Sequence, residues 1–80
     1  MSDYKFDYTV AECYSKEAFK DTCERIEKIA GVEKDAYNAE DDGSEMQFYK
    51  LEGKRIAVHS SVFLEVVYVT SEIDIDEYMK

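Results

Sequence analysis

His59 is the single histidine of the chain, so any Ser-His or Cys-His nucleophilic arrangement has to use it. Ser60 and Ser61 follow it directly, but neighbours on an extended strand point to opposite faces, so adjacency in sequence does not make a nucleophile–base pair. A structural histidine is the expectation. Cys13 and Cys23 are the only cysteines. With His59 they amount to three candidate zinc ligands at no recognised spacing, where a structural site takes about four. No secretion signal precedes them, which predicts reduced thiols rather than a disulfide. Gly31, Gly43 and Gly53 stand apart from one another, and no phosphate-cradling loop can be built from isolated glycines.

Calcium is the nearest approach to a metal motif. Asn38, Glu40, Asp42 and Gly43 fall on positions one, three, five and six of an EF-hand loop, but position twelve is Tyr49 where a bidentate Glu is required. The expectation is an acidic turn without metal, and no cofactor. Carboxylates suited to glycoside chemistry are numerous, yet such a pair needs a sugar-sized cleft with one acid raised by burial. A chain of 80 residues has little material for one, and the catalytic inventory points away from an enzyme.

The acids are more informative as a pattern. The chain holds 19 acidic and 10 basic residues, a net charge of −9, and the excess is concentrated in two blocks. Residues 31–45 carry six acids and one base, and residues 65–80 carry five acids and one base. Glu40, Asp41, Asp42 and Glu45 form one candidate contact patch; Glu72, Asp74, Asp76 and Glu77 form the other. If the tail is extended, Glu72, Asp74 and Asp76 project on one face about 6.7 Å apart, twice the strand rise, as a ladder of charge resembling spaced phosphates. Tyr37, Tyr49 and Tyr78 lie at expected element ends or beside these acids, as does Tyr14. Tyrosine supplies interface area at low entropic cost, and acid beside tyrosine suits an arginine-rich partner.

The elements that must position these groups can be read from periodicity. Tyr4, Phe6, Tyr8 and Val10 alternate with Asp3, Lys5, Asp7 and Thr9, which predicts a half-buried strand. Ser15 is an N-cap for a helix over 15–30, whose stripe is Phe19, Thr22, Cys23, Ile26, Ile29 and Ala30, with Gly31 as its terminator. Residues 33–40 are weakly patterned and receive no element. A turn at 41–44 precedes a strand over 45–51, and Glu52-Gly53-Lys54 is a tight connection to a strand over 55–59. Ser60-Ser61 predicts a break or bulge before a strand over 62–70, β-branched or apolar at most positions and therefore central. The last ten residues fit an edge strand or a short terminal helix, since Asp74 and Glu77 also have capping-box spacing. The expected fold is α+β, a single domain over 1–80: one helix packed on a small, mostly antiparallel four-stranded sheet in the order β-α-β-β-β.

Composition bounds the function. The apolar fraction is 45%, which supports a folded domain despite the charge. No apolar run approaches the roughly 20 residues that cross a bilayer, and the first residues do not resemble a signal peptide, so a cytoplasmic location is expected. A pI near 4.4 disfavours direct binding to nucleic acid or anionic membrane and favours a basic protein partner. In size and charge alone the chain resembles the small acidic inhibitors of phages and mobile elements, anti-restriction and anti-CRISPR proteins among them. That likeness implies a non-catalytic inhibitor that occludes a basic nucleic-acid-binding surface as a nucleic-acid mimic. The rival expectation is a structural or regulatory module, homodimeric through its sheet edges, whose acidity serves solubility.

Overall fold

Ser15 starts the helix as its chemistry requires, with extended backbone and a side-chain oxygen that accepts the Ala18 N–H at 3.1 Å. This satisfies one of the donors that every helix N-terminus leaves open. The computed structural model describes residues 5–13 and 15–79; Tyr4 and Tyr14, which the sequence assigns to a core face and to an element end, lie outside the described residues. The elements are β1 (Phe6–Ala11), α1 (Lys16–Glu27), β2 (Val32–Ala39), β3 (Glu45–Leu51), β4 (Lys54–Ser61), β5 (Val66–Ser71) and a closing 3-10 turn over Asp76–Met79.

The five strands form one sheet in the order β1-β5-β4-β3-β2, with every pairing antiparallel. Strands β2 to β5 make a meander, β1 adds to its far side, and α1 carries the chain from one edge of the sheet to the other. The class is α+β as expected, with five strands instead of four. The missing strand is β2. Seven of its eight residues are exposed, so it lacks the in–out alternation by which a half-buried strand is recognised. Backbone pairing to β3 holds it, and Gln47 reinforces that pairing. At the register shift between Lys34 and Tyr37, Gln47 Nε2 donates to the carbonyls of Asp35 at 3.1 Å and Ala36 at 3.2 Å.

Three boundaries also move. The helix stops at Glu27 rather than at 30; Lys28 and Ile29 then donate to the carbonyls three residues back, a tightening common at helix ends. Gly31 has φ of +86°, but it sits in the loop beyond this tightened end. Strand β4 runs through Ser60 and Ser61 without a break, because both remain paired, with Val67 and Val66. The expected strand over 62–70 is divided instead. Residues 62–65 form the β4–β5 hairpin turn, where Ser44 Oγ accepts the Val62 N–H at 3.0 Å and Ser61 Oγ accepts the Leu64 N–H at 3.1 Å. Apolar composition gave no turn signal there; serine hydroxyls from outside the segment make the turn.

One face of the sheet packs on the helix. Phe19, Cys23, Ile26 and Ile29 meet Tyr49, Ile56, Val58, Val67 and Val69, and Ile75 from the tail is also fully buried. Ile75 explains the tail. To reach the core the chain bends after Ser71 instead of continuing as an edge strand, and the short-helix alternative is the one adopted. The charge ladder expected of an extended tail is therefore not formed.

Candidate binding face

Among the described residues, the other face of the sheet carries no helix. Register places its side chains in rows across the strands: Thr9, Tyr68, His59, Met46 and Asn38 in one, Asp7, Thr70, Ala57 and Phe48 in the next. Alternation then forces the rows to the side opposite Tyr49, Val58 and Val69. His59 stacks on Tyr68 with ring centroids 4.4 Å apart and an interplanar angle of 6°. Ala57 is fully buried between its neighbours, while Met46, Phe48, His59 and Tyr68 are half-buried. The centre of this face is aromatic and apolar although it is uncovered.

His59 Nε2 lies 3.0 Å from Thr70 Oγ1, a nucleophile–base distance. The pair sits on a paired sheet, whose backbone N–H groups are engaged in the ladder and so do not converge on an oxyanion. Ser60, by contrast, faces the helix side, where its Oγ is buried without a hydrogen-bond partner among the described residues. Burial lowers the His59 pKa, opposed by the nearby Asp7 carboxylate, and burial raises that of Tyr68. Burial thus disfavours the charged form of each ring.

At one corner of this face two turns rise together. The β2–β3 turn is closed by Glu40 N–H to Ser44 O at 2.8 Å and by Ser44 N–H to Asp42 Oδ1 at 2.9 Å. Beside it the β4–β5 turn exposes Phe63 by 87% and Leu64 by 61%. Between the turns and the sheet lies an open cavity of about 200 Å³, whose lining includes Glu40, Asp42, Met46, His59, Phe63 and Tyr68. Phe63 and Leu64 lie where the sequence predicts a strand over 62–70; a Gly-free hairpin turn gives little local warning.

The sites expected from sequence are divided by this architecture. Glu40, Asp41 and Asp42 lie at the corner just described; Glu45 is at the same end of the sheet but alternates with Met46 onto the helix side, where the Tyr37 hydroxyl donates to its Oε1 at 2.5 Å. Glu72, Asp74, Asp76, Glu77 and Tyr78 lie at the opposite end of the sheet. Glu45 pairs with Ser60 and Glu72 bonds to Arg55, positions five residues apart along β4, or about 17 Å at the strand rise. The tail acids are also engaged within the fold. Glu72 accepts from Arg55 N at 3.0 Å and Nε at 2.5 Å, which lowers its pKa. Asp74 Oδ1 accepts from the Tyr8 hydroxyl at 3.1 Å and from Asp76 N–H at 2.9 Å.

Tyr49, expected at a contact surface, is fully buried. Its hydroxyl donates to Glu27 Oε2 at 2.6 Å beneath the helix, and burial, followed by that bond, raises its pKa. The EF-hand-like positions do not make a loop, since Asn38 is paired in β2 and Tyr49 in β3. No group of three or more His, Cys, Asp or Glu among the described residues is placed to hold a metal ion. The Cys23 thiol is buried and Cys13 is exposed, each unbridged. No helix among the described residues is long and apolar enough to cross a membrane. The chain matches no family model, no curated protein and no solved structure.

Proposed function

We propose that this chain is a non-catalytic protein-binding module that docks a partner with a Lys- and Arg-rich surface on its helix-free sheet face. One observation carries the reading: Phe63, 87% exposed, stands at the edge of an aromatic sheet face with the carboxylates of the β2–β3 turn beside it. Fully burying a Phe or Leu side chain is worth about 1.5–3 kcal/mol, so Phe63 and Leu64 are suited to be anchors. Charge selects the occupant. A second copy would bring the same acidic turn and another net charge of −9, whereas a basic surface is attracted to both.

Inhibition is the role such docking lends itself to, by covering a basic nucleic-acid-binding surface of the partner. The corner acids would steer that encounter. A continuous phosphate-like ladder does not support the proposal, because the two acidic groups stand at opposite ends of the sheet; one corner and its aromatic face do.

The test is photo-crosslinking with benzoylphenylalanine at position 63, against a control at Glu24 on the exposed side of the helix, followed by titration of the purified partner. The expected result is a crosslink from position 63 alone to a basic protein, and at least about tenfold weaker binding for Phe63→Ser, equal to about 1.4 kcal/mol. Crosslinks between copies of this chain would support the homodimeric module instead. Equal crosslinking from both positions, or an unchanged affinity for Phe63→Ser, would remove the sheet face from the proposal.

A further inference from the structure

The cavity at the corner of the sheet has a chemistry more specific than general acidity. Its walls include Glu40, Asp42, Met46, His59, Phe63 and Tyr68, two acidic residues and three rings, with no Lys or Arg. At about 200 Å³ it is below the 300–1,000 Å³ typical of small-molecule sites. A single inserted side chain suits it better than a metabolite. One of the two carboxylates is partly committed, Asp42 Oδ1 to the Ser44 N–H. The Glu40 carboxylate has no partner among the described residues, and Asp42 keeps its second oxygen.

Resting on the proposed docking face, we infer that this cavity receives an arginine side chain of the partner, its guanidinium stacked against Tyr68 or Phe63 and paired with Glu40 and Asp42. Arginine is favoured over lysine by the combination of walls. A planar guanidinium can lie on a ring while its edge donates to carboxylates, whereas an ammonium is a compact, strongly hydrated charge. The neutral His59–Tyr68 stack adds no opposing charge. Ordered turns on both sides, closed by the Ser44 and Ser61 hydrogen bonds, hold the walls before the ligand arrives.

The probe is a blocked Gly-Arg-Gly tripeptide titrated into the isotope-labelled chain and followed by NMR, with Gly-Lys-Gly as comparison. The expected outcome is saturable shifts at Tyr68, His59 and Phe63, about fivefold tighter for the arginine peptide than for the lysine peptide. The double variant Glu40→Gln with Asp42→Asn should lose at least about fivefold in affinity, a difference of about 1 kcal/mol, with its thermal midpoint and far-ultraviolet spectrum showing that it remains folded. Equal binding of both peptides, shifts spread over the tail acids, or binding unaffected by the double variant would each overturn the inference. If the arginine peptide leaves the corner unshifted while position 63 still crosslinks its partner, the cavity assignment fails and the docking face stands. If the crosslink fails as well, both fall.

Discussion

At the scale of the residue, His59 and Tyr49 show how identity and role part company. His59 is the only histidine, and its ring stacks on Tyr68 where burial disfavours its charged form. A histidine whose folded pKa is depressed binds fewer protons in the native state than in the unfolded chain. It therefore contributes stability above the unfolded value of about 6.5 and loses it as pH falls below that value toward the lower folded one. We expect urea unfolding to show stability declining over that window, and the decline to be shallower for His59→Gln. Parallel pH profiles would mean that burial does not disfavour the imidazolium. Tyr49 lies in sequence at an expected element end or beside acids, which predicts a contact residue. Alternation along β3 decides otherwise, since Gln47 and Tyr49 face the helix while Met46 and Phe48 face the open side.

At the scale of the element, local chemistry was legible where it repeats or caps. The Ser15 cap, the apolar stripe of α1 and the tight turn at Glu52-Gly53 all follow from short-range rules. That turn is a two-residue hairpin loop in which both Glu52, at φ of +52°, and Gly53, at +80°, take left-handed backbone. Glycine accepts this freely, whereas Glu52 is strained by its Cβ. Glu52→Asn, which creates the Asn-Gly pair favoured in such turns, should raise stability by about 1 kcal/mol. Chemical denaturation checks it, and no gain would mean that Glu52 makes compensating contacts. Strand β2 and the turn over 62–65 were illegible for a shared reason. Each is held by groups remote in sequence, Gln47 for the first and Ser44 for the second.

At the scale of the whole molecule, charge is the dominant quantity. A net charge of −9 on 80 residues raises the free energy of the folded state through self-repulsion. Specific ion pairs offset part of it, Arg55 with Glu72, Lys34 with Glu27 at 3.8 Å and Lys50 with Asp35 at 3.9 Å, though exposed pairs contribute little each. Raising salt from about 0.01 M to about 0.5 M shortens the screening length from about 30 Å to a few ångströms. The thermal midpoint should then rise by several degrees, as about 1 kcal/mol moves it by about 4–8 °C in a domain this small. A falling midpoint would show that the ion pairs outweigh the repulsion. Partner binding should respond in the opposite sense, weakening with salt while the apolar anchors sustain part of it.

The sequence by itself determined the α+β class, the helix and its cap, the turn before β3, the hairpin connection after it and the excess of acid, because each of these depends on residue type and short-range spacing. Tertiary structure alone decided which acids share a surface. Strand order sends the 40–45 group and the 72–77 group to opposite ends of the sheet, and the burial of Ile75 turns the tail inward. It also decided that one sheet face goes uncovered among the described residues, because a single helix of 12 residues, about 18 Å long, covers only one side of five strands. Phe63, Leu64, His59 and Tyr68 become neighbours only once β4 and β5 are folded against each other.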